Sequence, residues 1–384
     1  MLSTDVLPSG ISSPSFRFGN VDGISQRYID NGSLVKLGDY KSVNFDAEQL
    51  QKFNADAARL VSALNKFGAA GLGDKINLGV LKVDTDPTVK YFAPVFAHGV
   101  TKNWTVALGL PIVNYQNKIS LSQQFSNIDY YRRQFSGLSA ELDSALATDL
   151  GQATNDTLAA KGYKRIENHD ETFVGDVQIV SRYRFMEDHK QAILYQAQLN
   201  LPTGPQYNPD DLAAINIFGR TNINNSLTYS YRATSRITLV PYISYIFNIP
   251  DQITERVPTN ENDTLPDASA KEDIHRHIGN TASIGNSVFY DWNDALQFGL
   301  GYEYSNKDRD NYSGSGAGRY DLLGQHTAGS AHRVRGQVSY STVSSYFRKQ
   351  SVIPFVVSLE VSDIIAGVNV ERQFAQELTL MMFF

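Results

Sequence analysis

His275 and His277 stand two residues apart, the spacing that places two imidazoles on one face of a β-strand, where they could share a metal ion. No carboxylate stands where it would complete such a ligand set, so no metal is expected. Asn260 to Asp263 is rich in side-chain oxygen but lacks the spaced ligand register of a calcium loop and reads as a solvated loop. Ser287, with Asn286 beside it and His277 before it, supplies the residue types of a Ser–His–Asn hydrolase. A nucleophile and its base must meet within hydrogen-bond reach, yet about ten residues of strand separate this pair by over ~30 Å. The chain also has no Gly-x-Ser-x-Gly elbow, phosphate loop or zinc-binding His-Glu motif. Neither an enzyme nor a cofactor is expected.

Composition narrows the class further. The absence of cysteine removes disulfides, thiolate metal sites and cysteine nucleophiles together. A net charge of -6 over 384 residues leaves no basic stripe to neutralise phosphates, so nucleic acid is not an expected partner. With 42% apolar and 19% charged residues, including 21 Tyr and 20 Phe, the chain can bury a large core and is neither disordered nor collagen-like. No apolar run approaches the ~20 residues of a membrane-spanning helix. Met1 to Asp5 shows no basic stretch leading into an apolar one, so a secretion signal is expected to have been removed.

From Lys75 onward the dominant period is two, the signature of strands with two unlike faces. Leu296, Phe298, Leu300, Tyr302 and Tyr304 alternate with Gln297, Gly299, Gly301, Glu303 and Ser305. Phe173 to Phe185 and Arg333 to Ser341 repeat the pattern. Twelve such segments are expected, beginning near Ile76, Thr88, Trp104, Thr172, Gln191, Asn222, Arg236, His277, Ala295, Arg333, Val352 and Val370.

Connection lengths then separate by parity. Even ones are short, such as Thr101 to Asn103, Glu187 to Lys190, Ala233 to Ser235 and Asp291 to Asp294. Most odd ones are long: Gln116 to Glu171, Gly204 to Thr221, Pro250 to Arg276 and Asn306 to His332, with Asp84 to Pro87 and Asp363 to Asn369 as short exceptions. Long loops at one end and tight turns at the other are the pattern of an outer-membrane barrel. Trp104, Tyr183, Phe185, Tyr229, Tyr231, Tyr290 and Trp292 cluster beside the tight turns, where amphipathic rings favour headgroup depth. The expected fold is all-β: a closed antiparallel transmembrane β-barrel of about twelve strands, with an N-terminal helical segment and a helical extracellular loop. A barrel also leaves no strand edge in lipid.

Two regions carry helical spacing instead. Asp46 to Phe67 places Leu50, Phe53, Ala57, Leu60, Val61, Leu64 and Phe67 on one face, with Asp46 and Gln49 as a capping pair and Gly68 as a stop. Residues 1–74 thus form an N-terminal segment whose helix either plugs the lumen, through Leu50, Phe53, Leu60, Leu64 and Phe67, or packs across the periplasmic mouth. Residues 75–384 form the barrel. Within it, 117–171 is a long loop in which Leu121, Phe125, Ile128, Phe135, Leu138, Leu142, Leu146 and Leu150 predict one or two helices, which either fold inward as a constriction or, as the favoured alternative, cap the outside.

If the polar parity faces inward, Lys90, Asp176, Arg182, Arg184, Glu303, Arg333, Arg335 and Glu360 line the lumen. Mixed charges of this kind either set a transverse field across a water-filled pore or pair with one another as filling.

Gly175-Asp176-Val177 through Tyr183-Arg184-Phe185, followed by Leu199-Asn200-Leu201-Pro202-Thr203-Gly204, resembles a pattern of the phenol-degradation MetA-pathway family, outer-membrane barrels akin to the FadL and TodX hydrophobic-solute transporters. Trp104 to Val113 is similar to the preceding strand of that pattern, and the resemblance spans roughly Ile76 to Ile249. An Asn-Pro-Ala hatch motif is missing near the N-terminus, and the helical loop is longer than the family pattern needs. The final strand, with Leu378, Leu380, Met382 and Phe384 on one parity, resembles the C-terminal signal read by the barrel-assembly machinery, which is therefore an implied partner through Phe384. The resemblance implies passive or facilitated passage of small solutes, hydrophobic or aromatic ones among them. The alternative is a structural or surface-binding barrel with an occluded lumen. Expected surroundings are the bacterial outer membrane, its lipids and lipopolysaccharide.

Overall fold

The computed structural model describes the whole chain except residues 41–42, 54, 68–70, 139, 148 and 215–216. Twelve antiparallel strands close into one barrel. In chain order they are β1 (Ser12–Asp22), β2 (Asn77–Thr101), β3 (Trp104–Gly109), β4 (Val177–Glu187), β5 (Gln191–Leu201) and β6 (Asn222–Arg232). They continue as β7 (Ile237–Asn248), β8 (Thr281–Asp291), β9 (Leu296–Lys307), β10 (Gly329–Ser341), β11 (Phe355–Val368) and β12 (Phe374–Met382). Each pairs with its sequence neighbours, and β1 closes the ring against β12, from Ser15 opposite Met381 to Asp22 opposite Phe374. Among the described residues no helix is long and apolar enough to cross a membrane.

The strand number is the expected one, but two of its members differ. The segments beginning near Ile76 and Thr88 are one 25-residue strand, β2, with no turn at Asp84 to Pro87. Pro87 is tolerated because its partner Asn117 lies on one flank only; the pairing of β2 with β1 stops at Val89 opposite Val21. The strand that replaces the lost one is β1, inside the segment expected to precede the barrel. The barrel therefore begins at Ser12, not at residue 75, and the last strand closes on β1. Phe384 donates its N–H to Ser12 O at 2.9 Å and accepts the Ser12 N–H at 3.0 Å.

Tight turns and both ends of the barrel chain lie on one rim, which the outer-membrane pattern makes periplasmic. On the other rim β2 runs on past the wall and is joined by Ile112–Gln124 and His169–Val174. Three strands thus rise above the barrel as a continuous sheet.

On top sit α1 (Ala47–Phe53), α2 (Ala55–Phe67), α3 (Ile128–Phe135), α4 (Ala140–Leu146) and α5 (Leu150–Ala160). The Asp46 carboxylate accepts the Gln49 N–H at 3.0 Å, as a helix cap should. Leu50, Leu60, Val61 and Leu64 are buried against Ile76, Leu78, Leu81, Ile128, Tyr131, Leu146 and Leu150. This places the N-terminal helices in neither position read from the sequence. They pack in a helical cap at the loop end, because the apolar faces of α3 and α4 can cover them and a polar lumen wall cannot. The side chains of Phe53, Phe67 and Leu142 and the stop at Gly68 lie outside the described residues. The loop 117–171 holds three helices after a stretch of strand.

The two faces of the wall are unlike in the expected sense. Phe96, Leu108, Ile179, Leu227, Ile243, Ile284, Leu300, Val338, Leu359 and Leu378 are exposed on the outside. An apolar belt of this kind can only face lipid, since each side chain left in water forgoes about 1.5–3 kcal/mol of burial. Trp104, Tyr183, Phe185, Tyr231 and Trp292 are exposed beside the periplasmic turns and form one girdle.

Candidate functional site in the barrel lumen

Strict alternation sends the other parity inward: Ser13, Ser15 and Arg17 on β1, Thr105 on β3, Gln178 and Arg182 on β4, Ser226 and Thr228 on β6. Across the lumen the same rule turns Glu303, Arg333, Arg335, Glu360 and Glu377 inward from β9 to β12. The charges form a network on the β9–β12 side. Arg335 donates to Glu303 at 3.1 Å and to Glu360 at 3.5 Å, so part of the expected filling by paired charges is present.

Two tyrosines brace this wall in the same way. Tyr242 on β7 donates its hydroxyl to Glu303 on β9 at 2.7 Å, passing over Gly285 on the strand between. Tyr91 on β2 donates to Glu377 on β12 at 2.5 Å, passing over Gly19 of β1. A Cβ at Gly285 would stand 2.4 Å from the Tyr242 ring and one at Gly19 2.0 Å from that of Tyr91, so only glycine lets the rings lie flat. The second brace spans the seam where first and last strands meet. Tyrosines and glycines of this kind read as ordinary strand residues in the sequence, and only the register reveals the pairing.

Three of the lumen arginines are less well matched. Arg182 has no carboxylate within ion-pair distance among the described residues; its Nη2 donates to the backbone oxygen of Ser3 at 2.6 Å, and its Nε is buried without a partner. Arg17 is exposed within the lumen and has no hydrogen bond or ion pair among the described residues. Among the described residues Arg333 reaches only Gln373, at 3.3 Å.

Ser3 belongs to the element that occupies the lumen. Residues 1–9 run inside the barrel: Leu7 N–H donates to Thr105 at 2.8 Å, the Thr4 and Ser230 hydroxyls meet at 2.9 Å, and Met1 reaches Glu360. Gly10 N–H to Gly99 O, 2.8 Å, ties the segment to β2 before it turns into β1. Nothing in the sequence marked these residues, which have no periodicity and no charge cluster.

Of the eight residues expected to line the lumen, Arg182, Glu303, Arg333, Arg335 and Glu360 face inward. Arg184 also points inward but sits at the periplasmic mouth, paired with Glu187 at 2.7 Å. Lys90 shares parity with Phe92 and Phe96 and faces outward near the loop-side rim, so it does not line the pore. Asp176 is buried and serves as an anchor: it lies in a bulge where three residues of its strand oppose Leu110 and Pro111, and its carboxylate accepts the N–H groups of Gly204, at 2.8 Å, and Gly219, at 3.1 Å. The bulge also reverses parity, so Phe173 packs inward on Phe218 while Ile179 faces out. The Gly-Asp and Pro-Thr-Gly motifs thus hold one device, closed by Val177 N–H to Thr203 Oγ1 at 2.9 Å.

The outer cap is fastened by charges. Arg256, buried, donates to Asp210 at 2.6 and 3.0 Å, to the backbone oxygens of Lys161 and Gly162, each at 2.7 Å, and of Pro266 at 3.0 Å, and lies 3.7 Å over the Tyr163 ring. Three loops therefore meet at one guanidinium. Burial alone would push the Asp210 carboxyl up, but hydrogen bonds from Lys271 and Arg256 outweigh it and hold the group below the usual carboxylate range. Asp211 is likewise held low, against its burial, by Lys164 and the Ala213 N–H.

The other constellations read from the sequence do not assemble. His277 pairs with Asn311 in a separate sheet outside the barrel, Ser287 faces the lumen and Asn286 faces outward. No group of His, Asp or Glu suited to a metal occurs among the described residues. Asn260 and Asp263 spend their side chains on their own turn, at Asn262 N–H and Thr259 N–H.

A closed, lipid-girdled twelve-strand barrel with a polar lumen defines the class: an outer-membrane β-barrel. No family model and no curated protein sequence matches the chain. Among solved structures, an outer membrane channel from Pseudomonas putida F1 superposes with a TM-score of 0.57 at 11% identity, covering 99% of this chain and 98% of that one. The transport unit of the Escherichia coli autotransporter AIDA-I gives a TM-score of 0.41 at 6% identity, covering 100% and 92% of the two chains. The Ralstonia pickettii toluene transporter TbuX gives 0.38 at 10%, covering 98% and 90%. The first likeness establishes a shared fold over the whole chain, and the other two are too distant to add to it.

Proposed function

We propose that the protein is an outer-membrane channel for passive or facilitated passage of small solutes, amphipathic aromatic ones included. The observation that carries this reading is what fills the barrel. The lumen is occupied by a short strap, residues 1–9, held by few hydrogen bonds, and among the described residues no hydrogen bond joins wall side chains across it. A wall that needs a strap to close it has room for a solute once the strap moves. Hydroxyl, amide and guanidinium groups offer that solute hydrogen bonds, and the half-buried ring of Tyr91 offers it contact. The lipopolysaccharide leaflet, and the assembly machinery reading the strand that ends at Phe384, are the partners this reading implies.

Planar-bilayer recording tests it. The intact protein should show small or intermittent current, and removal of residues 2–9, which leaves β1 whole, should give a stable and larger one. No current from either form would favour the second reading, an occluded barrel acting through its outer cap, which the same strap also supports.

A further inference from the structure

We propose that the shelf around Arg182 is a binding site for the carboxylate of a small organic anion, and that residues 1–9 occupy it as a built-in competitor. This rests on the channel reading and names the solute class for it. Thr105, Arg182, Gln196 and Ser226 are direct register partners on β3, β4, β5 and β6, so one level of the wall carries four hydrogen-bonding side chains in a row, all turned inward. On that shelf the Ser226 hydroxyl and Arg182 Nε are buried without partners among the described residues. Arg17, with no ion pair among the described residues, adds its positive potential to the same space.

A guanidinium set in such a wall wants a negative charge, because its desolvation is offset only by a close anion. The Ser3 carbonyl at 2.6 Å fills one N–H direction and brings no charge. Asp5, on the same strap, supplies the opposing charge from beyond ion-pair distance. The strap is thus an imperfect ligand: it blocks the fork of Arg182 without matching it. A carboxylate would match it, taking two parallel N–H bonds from one guanidinium, with Ser226 and Thr105 hydroxyls at hand. Because strap and anion use the same group, anion binding favours the unstrapped lumen and release of the strap favours anion binding.

Titration calorimetry on the full-length protein in detergent tests this without relying on conductance, with benzoate as the anionic probe and benzyl alcohol as its neutral counterpart. Benzoate should bind more tightly than benzyl alcohol. Arg182→Gln should weaken benzoate about 10- to 100-fold, Arg17→Gln by less, and neither should change benzyl alcohol. Leu7→Pro, which removes the N–H held by Thr105 and loosens the strap, should tighten benzoate several-fold. Heat-modifiable gel mobility checks that each variant is folded; if Arg182→Gln fails that check, Arg17→Gln and Leu7→Pro decide. Equal binding of the two probes, no binding of benzoate, or benzoate affinity indifferent to these substitutions would overturn the site. Benzoate binding without conductance would instead leave the site standing and remove the channel.

Discussion

Replacing Arg256 with Met should open the outer cap while leaving the barrel closed. The substitution keeps most of the apolar stem and removes the guanidinium that joins Asp210, three backbone oxygens and the Tyr163 ring. Breaking a buried ion pair by deleting one partner costs about 3–5 kcal/mol. The lower end applies here, because Lys271 still reaches Asp210 at 2.5 Å and keeps its charge compensated. A loss of ~3 kcal/mol corresponds to about 100-fold faster opening of the segments that meet at this residue, at ~1.4 kcal/mol per factor of ten. Hydrogen exchange resolved by peptide is the assay. Residues 161–164, 204–214 and 257–270 should exchange about 100-fold faster, while β5, β8 and β9 should keep their protection. Unchanged exchange in those loops would refute the view that one guanidinium fastens them, and loss of protection throughout the barrel would refute their independence from the wall.

Acid should loosen the same cap. Asp210 and Asp211 have carboxyl groups held low in the folded protein, so the stability they contribute is present above the unfolded carboxylate range and lost as pH falls through their folded values; limited proteolysis of the loops should accelerate there while gel mobility of the barrel stays unchanged. Asp176→Ala removes the acceptor of the Gly204 and Gly219 N–H groups and should cost about 1–3 kcal/mol of local stability, seen as faster exchange confined to residues 201–222. Gly285→Ala and Gly19→Ala each drive a methyl into a tyrosine ring and should destabilise the barrel by about 1–3 kcal/mol, read as a lower temperature for the shift in gel mobility. The Gly19 variant should also slow folding, since its tyrosine crosses the closing seam; equal folding rates for the two would contradict that role.

Period-two alternation was enough to read the barrel, its two faces and the end that carries long loops, because a lipid-facing parity leaves little freedom in residue choice. It failed at two places for opposite reasons. Asp84-Thr-Asp-Pro87 has the residues of a turn, yet strand pairing on one flank overrides them. Ser12 to Asp22, with Pro14 and only Phe16 and Phe18 as outward aromatics, is too polar to stand out. The inward parity of Arg182, Glu303, Arg335 and Glu360 was likewise legible, but which charges pair was not, since partnership depends on register between strands far apart in sequence. Amphipathic spacing in Leu50 to Leu64 showed that a face needed cover; it could not show that α3 and α4 supply it. The strap was invisible because backbone atoms make most of its contacts.

The 25-residue strand β2 has one further consequence. Its first dozen residues stand beyond the last pairing with β1, a mast some 40 Å long at ~3.4 Å per residue, and they carry the helical cap without any hinge between cap and wall. A force on that mast would pass straight into the wall strands and not be absorbed in a slack loop.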